Sequence, residues 1–300
     1  MATISKLIQI GGEPIELVEG NSGQGLRWVA EVGSLSSDVT FPTILPELEI
    51  ARNTDIGNVS AKNVYIHGSR SLGWTSTSIL GDACDYLDTS QALMNTPTVG
   101  QTLYIVSTSA NDTAGGTGSR SVRIVYLDAA GAQQVVTATM NGTTPVSLGS
   151  GFTFIQWMEV ASTGSNEVSV GSLSITSTNG AATTATTFER ISAGGNRSLS
   201  GRYKVPTGWT AYISRWGAAS IANTMDTRIR ADVFADDRTL SSGVYHFQDR
   251  VFLASGQNFD AELSYLKCPS GAVIKISAIP GGAQAGNKLD CSFKLILLNE

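Results

Sequence analysis

Acid–base, nucleophilic and metal chemistry draw on histidines, cysteines and paired carboxylates, and this sequence offers few places where they could act together. It has two histidines, His67 and His246, far apart and without a partner pattern around either. A Ser-His-Asp triad would have to use one of them, and no Gly-x-Ser-x-Gly turn accompanies such a site. His246 falls within Val244-Tyr245-His246-Phe247, a strand-like run in which a histidine reads as structural. Two histidines with Cys84, Cys268 and Cys291, none of them in a Cys-x-x-Cys pair, make a poor zinc set. Carboxylates offer more. Asp82, Asp85 and Asp88 form one group and Asp232, Asp236 and Asp237 another, and a glycan-cleaving site needs two acids about 5–10 Å apart. The first group reads as a helix cap or a calcium trio, yet it lacks the ligand alternation and the glycine of a calcium loop. The second sits at a strand end, where turns favour aspartate. Trp28, Trp74, Trp157, Trp209 and Trp216 could stack sugars, although Trp209 and Trp216 fall in a strand and read as core or subunit-contact anchors. Gly281-Gly282-Ala283-Gln284-Ala285-Gly286-Asn287-Lys288 has the outline of a phosphate-binding loop. Its lysine comes one place late, Leu289 replaces the hydroxyl residue and a strand follows, so it reads as a hairpin loop. No catalytic, cofactor or metal residue is assigned.

The elements that would position such groups follow from composition. The chain has 300 residues, 41% hydrophobic and 15% charged, against about 25% charged in average globular domains. Ser, Thr, Gly and Ala replace the missing charge; exposed helices need Lys, Glu and Arg, whereas strands tolerate hydroxyl-rich outer faces. The class is mainly β. The net charge is −5 with no basic run, so phosphate-backbone binding has no electrostatic footprint and no nucleic-acid partner is expected. The apolar runs fall short of a membrane span, and the opening Met1-Ala2-Thr3-Ile4-Ser5-Lys6 lacks the order of a signal peptide. Synthesis in a cytoplasm without membrane attachment is the expectation. The three cysteines read as reduced core residues, with a Cys268–Cys291 disulfide as the lesser alternative.

Residues 1 to about 60 read as an irregular, Pro-punctuated stretch. Ser5 to Ile10 and Arg27 to Val32 are short strands about a turn at Asn21-Ser22-Gly23-Gln24-Gly25, and Pro42 and Pro46 hold Thr43-Ile44-Leu45 extended. The stretch is either an arm lying on another molecule or a subdomain packed on its own chain. Gly81 to Met94 is the best helical candidate, with Asp82 as N-cap. From Gln101 the chain alternates strands and turns. Val122, Ile124 and Tyr126 share one face of a strand, Asp128-Ala129-Ala130-Gly131-Ala132 turns, and Gln133 to Met140 returns. Asn141-Gly142 signals a type I′ hairpin. Phe152 to Val160 and Val168 to Ile175 complete a first set. The low-complexity run from Ser177 to Thr187 is a linker or exposed crossover. A second set runs from Arg202 to Leu298, and in its last strand Leu289, Cys291, Phe293, Leu295 and Leu297 share one face. The expected fold is all-β: two successive β-sandwich or jelly-roll-like domains, 100–180 and 181–300, after an N-terminal region spanning 1–99.

Several stretches together resemble a family of tailed-phage virion structural proteins. They are Arg52-Asn53-Thr54-Asp55-Ile56, the loop from Ser107 to Ser121 feeding Val122-Arg123-Ile124, the Leu127-Asp128 turn, and Met140-Asn141-Gly142-Thr143-Thr144. Val205-Pro206-Thr207-Gly208-Trp209 with Thr210-Ala211-Tyr212-Ile213, and the closing Ser292-Phe293-Lys294-Leu295-Ile296-Leu297, match the family's second β domain. The similarity spans residues 50 to 300, and it implies assembly and not catalysis.

The function expected is that of a non-enzymatic virion protein, a capsid decoration or cement protein on the outer head surface. It would act as a homo-oligomer, a trimer among the candidates, with the major capsid protein or other virion proteins as partners and the virion as its location. Its attachment would be multivalent, the N-terminal stretch adding to exposed sheet edges of neighbouring subunits. Trp209, Trp216, Ile44 and Leu45 are the residues expected at those contacts. A tail, neck, fibre-base or receptor-binding component is the alternative within the virion. A glycan-binding or glycan-cleaving β protein is the alternative of another class.

Overall fold

Extended strands build the fold, some alternating buried and half-buried residues and others buried on both faces. The computed structural model describes residues 4–10, 13–18, 61–70, 81–82, 96–183, 186–221, 224–232, 245–282 and 287–299. The chain divides into two compact units, Met1–Leu45 and Pro46–Glu300. In the first, β1 (Ile4–Ile10) and β2 (Glu13–Val18) form an antiparallel pair with Ile8 opposite Ile15. The strand expected from Ser5 is therefore β1, but it pairs with the next six-residue strand. Arg27 to Val32, Ile44 and Leu45 lie outside the described residues.

The second unit begins with β3 (Ala61–Arg70) and β4 (Gly81–Asp82). Then come β5 (Leu103–Ser107), β6 (Ser119–Leu127), β7 (Gln133–Thr139), β8 (Val146–Gly149), β9 (Phe154–Thr163), β10 (Leu173–Thr176) and β11 (Thr187–Ile191). The last seven are β12 (Arg202–Lys204), β13 (Thr210–Ile221), β14 (Met225–Ala231), β15 (His246–Leu253), β16 (Asn258–Cys268), β17 (Val273–Pro280) and β18 (Lys288–Leu298). Among the described residues this unit is all-β, with 16 strands in four antiparallel sheets. Sheets β11-β10-β5-β8 and β7-β6-β9 enclose one core, built on Leu103, Ile105, Ile124, Phe152, Ile155 and Met158. Sheets β16-β13-β18-β3 and β12-β17-β14-β15, the latter extended by β4 on β17, enclose the other. The fold is thus two β-sandwiches.

The last strand behaves as its pattern requires. Leu289, Cys291, Phe293, Leu295 and Leu297 point into the second core, where each large side chain contributes about 1.5–3 kcal/mol of burial. Ile296 and Leu298 occupy the opposite face and pack with Tyr212. β14 repeats the pattern, with Met225, Thr227, Ile229 and Ala231 inward and Asp226, Arg228 and Arg230 outward.

Several expectations about connection are corrected. Gly81 and Asp82, the start of the expected helix, are extended and pair with Ser277 and Ala278; the remainder of that helix lies outside the described residues. β3 precedes the first sandwich in sequence yet pairs along its full length with β18, and β11 closes on β10, so the Ser177–Thr187 run joins neighbours inside the first sandwich. Asn141-Gly142 is not a hairpin. Gly142 has the expected positive φ of 61°, but β7 pairs with β6 and β8 with β5, so the dipeptide carries the chain from one sheet to the other. The 281–288 loop is likewise a passage between sheets, from β17 to β18, and not a hairpin. Cys268 and Cys291 are core thiols and not a disulfide. Their partners on β13 are Ala211 and Ala218, seven residues apart along one strand, too far for a bond.

Candidate functional site

The loop from Ser107 to Gly118 is rich in short polar side chains, which bond their own backbone and favour compact turns. The Ser109 N–H donates to Ser107 Oγ at 3.0 Å and the Asn111 N–H to Ser109 Oγ at 3.2 Å. These turns carry Asp112 into the protein, where it is fully buried. Its Oδ1 accepts the N–H groups of Ser119 at 2.8 Å and Val170 at 2.9 Å. Its Oδ2 accepts the Gly171 N–H at 2.8 Å and the Ser107 hydroxyl at 2.6 Å. Four donors compensate one carboxylate for lost water. Glycines let the segments meet: a Cβ at Gly118 would collide with Asp112 Oδ1, and one at Gly171 with the backbone of Ser109.

The Asn141-Gly142 corner docks on the same knot. Asp112 C=O accepts the Gly142 N–H at 2.7 Å, Met140 C=O accepts the Ala114 N–H at 3.1 Å, and Thr113 bridges Asn141. Two stretches separated in sequence, 107–118 and 140–142, are one structural object.

The two sandwiches meet through a second set of groups. Gln156 donates to Lys204 C=O at 2.5 Å and accepts the Lys204 N–H at 3.0 Å. Trp157 from β9 lies against the second core beside Tyr203, with the Arg197 guanidinium over its ring at 5.5 Å. Thr207 bonds the β6–β7 turn, its hydroxyl donating to Ala130 C=O at 2.8 Å and its N–H to Gly131 C=O at 2.9 Å. Glu189 of β11 is fully buried, with the Arg202 guanidinium 3.6 Å away. Burial pushes its carboxyl up to about 7 against the pull of Arg202.

The residues singled out for chemistry are dispersed. Asp232 is buried and accepts the Val273 N–H at 2.6 Å; burial raises its pKa. Asp236 and Asp237, and Cys84, Asp85 and Asp88, lie outside the described residues, as do Trp28 and Trp74. His67 is on the outer face of β3, its pKa lowered by burial and by Arg197. His246 lies in β15. Trp216, expected at a subunit contact, is fully buried in the second core, and its Nε1 donates to Asp249 Oδ2 at 2.9 Å. Trp209 is half-buried, with Lys62 Nζ 4.4 Å above its ring.

Among the described residues, the second sandwich carries depressions on its surface. One of about 520 Å³ is lined by Met225, Asp226, Phe252, Gln257 and Pro280. Asp226 is held between Arg228 and Arg250, each at 2.7 Å; burial pushes its carboxyl up, but the two guanidiniums prevail and keep its pKa low. Another, about 320 Å³, lies on the outer face of β16-β13-β18-β3 over Gly217 and Ser292, beside His67, Asp260 and Asp290. Asp260 is paired with Arg215, and Asp290 binds the Ser69 hydroxyl at 2.6 Å and Lys288 at 3.0 Å. Among the described residues no group of three or more His, Cys, Asp or Glu side chains is placed to hold a metal ion, and no helix is long and apolar enough to cross a membrane.

Sequence reasoning located the 107–118 loop but missed the burial of Asp112, whose donors lie up to 59 residues away. It missed Glu189 altogether, since a lone glutamate in a strand carries no mark of burial.

No protein-family model matches the chain, and no curated protein does. Faint likenesses to solved structures include that of infectious bursal disease virus Gt strain, 8% identical, covering 80% of this chain and 71% of that one at a TM-score of 0.23. A second is the T13 particle of the same virus, 10% identical, with 80% and 68% covered and a TM-score of 0.23. A third is the CBM22 tandem domain of Paenibacillus barcinonensis Xyn10C, 12% identical, with 80% and 91% covered and a TM-score of 0.20.

Proposed function

We propose that this chain is a non-enzymatic structural protein of a virion, a capsid decoration or cement subunit that binds the outer head surface as a homo-oligomer. The observation that carries the reading is the knot at Asp112. The stretches that resemble tailed-phage virion proteins, 107–118 and 140–144, meet there and spend their polar groups on one another, as a rigid building block requires. The sandwiches supply inert, hydroxyl-rich faces, and many weak contacts from a symmetric oligomer sum to firm attachment.

The experiment is localisation in imaged particles with a label fused to the chain, together with copy number. A head-decorating protein is expected on the capsid surface in hundreds of copies per particle. Labelling confined to the tail or neck, in small multiples of the symmetry there, would overturn the decoration role and favour a tail component. Turnover of a polysaccharide by the purified chain would overturn the non-enzymatic reading.

A further inference from the structure

Edge strands present unpaired N–H and C=O groups, and proteins guard them with charge, proline, bulges, short length or cover. Most edges of the four sheets follow this rule. β9 is bonded to 196–198 and β3 to 199–201. β15 and β16 carry register shifts and the charges Asp249, Arg250, Asp260 and Glu262. β8 and β12 have only four and three residues, and the five-residue β11 carries Glu189 and Arg190.

β7 is the exception. Its seven residues, Gln-Gln-Val-Val-Thr-Ala-Thr, include no charge, no proline and no glycine, and pair with β6 without a register shift. The Met140 N–H donates to Arg120 C=O at 2.9 Å, so antiparallel alternation turns Gln134, Val136 and Ala138 toward β6. The N–H and C=O groups of Gln133, Val135, Thr137 and Thr139 therefore point away from the sheet. These four side chains are exposed, Val135 by 51%.

We infer that β7 pairs with β7 of a second copy of this chain, antiparallel about a two-fold axis at Val136. That centre sets Gln133 opposite Thr139 and Val135 opposite Thr137 of the other copy, and these are the residues whose main-chain groups point outward. Each facing pair exchanges two hydrogen bonds, and the three-stranded sheets join into one continuous six-stranded sheet. The strand suits itself as a partner because it has no charge to repel its own copy, and Val135 against Thr137 is a favourable β-branched pair. Apart from the four-residue β8, the other edges would set Asp, Glu, Lys or Arg against their copies. The inference rests on the reading that the chain works through copies of itself, and supplies the surface.

The test is sedimentation velocity of the full chain from low to high micromolar concentration, with hydrogen exchange read at β7. Self-association is expected, with amide protection at Val135 and Thr137 rising with concentration. The double variant Val135→Lys/Thr137→Lys is expected to weaken association at least about tenfold through facing like charges, as is Val135→Glu/Thr137→Glu. Mixing the two is expected to restore it, which a misfolded variant could not do. An oligomer in which β7 exchanges as freely as in the monomer, or one indifferent to these charges, would overturn the edge pairing and leave the assembly reading standing. A chain that stays monomeric, and protects β7 only on assembled particles, would give the edge to another coat protein and overturn the pairing.

Discussion

The carboxylate of Asp112 holds the backbone amide of Gly171 at 2.8 Å, although the two residues stand 59 positions apart. Ser119 and Val170 bind the same side chain, so one acidic group ties the β5–β6 loop to the start of β6 and to the approach to β10. Asp112→Ala strands three buried N–H groups and a hydroxyl, and is expected to lower stability by about 3 kcal/mol or more. Urea denaturation of the purified chain checks this, and a loss under about 1 kcal/mol would show the knot to be ornamental.

Gly142 turns the corner between sheets with a φ of 61°, while a Cβ there would lie 3.1 Å from Ala110 Cα. Gly142→Ala is expected to destabilise by about 1–2 kcal/mol from the backbone conformation alone. Gly149→Ala is the control, since its φ is 85° but nothing lies within 4 Å of its Cβ. A larger loss at Gly142 than at Gly149 isolates the cost of the contact.

Glu189 makes stability depend on pH. Its carboxyl titrates near 7 when folded, above the ordinary glutamate value of 4.5. Between these two values the folded chain binds more protons than the unfolded one, so stability falls as pH rises through the window and levels off above it. Glu189→Gln is expected to flatten that slope, measured as the denaturation midpoint at successive pH values. An unchanged slope would mean that the carboxyl is ionised throughout.

The two tryptophans expected at subunit contacts divide in their effects. Trp216→Ala empties a packed site and is expected to cost about 3–5 kcal/mol without altering oligomeric state in the fraction that folds. Trp209→Ala removes a half-buried ring beneath Lys62, and its cost is expected to be smaller, about 1–2 kcal/mol. Thermal unfolding alongside light scattering distinguishes them.

Faces were legible in the sequence; neighbours were not. The alternation from Leu289 to Leu297 marks the buried side of β18 because side-chain direction is a local property of an extended chain. That β18 lies between β13 and β3 is decided by residues as distant as Arg70 and Leu289, whose pairing leaves no local trace. The same limit explains Asn141-Gly142. The dipeptide specifies a left-handed residue, which Gly142 supplies, but whether the next strand folds back or crosses over depends on the loop that receives it. At the site, the polar loop was visible and its purpose was not, since hydroxyls and carboxylates look alike in sequence whether they face solvent or one another.

Because β3 pairs with β18, the second sandwich brackets the first in sequence and cannot close until β18 has been made. On the ribosome, β5 to β11 emerge as a contiguous set and are free to close first, while β3 meets its full-length partner only after β18 has been made. A nascent chain cut short before Lys288 would therefore hold a finished first sandwich beside an unclosed second one.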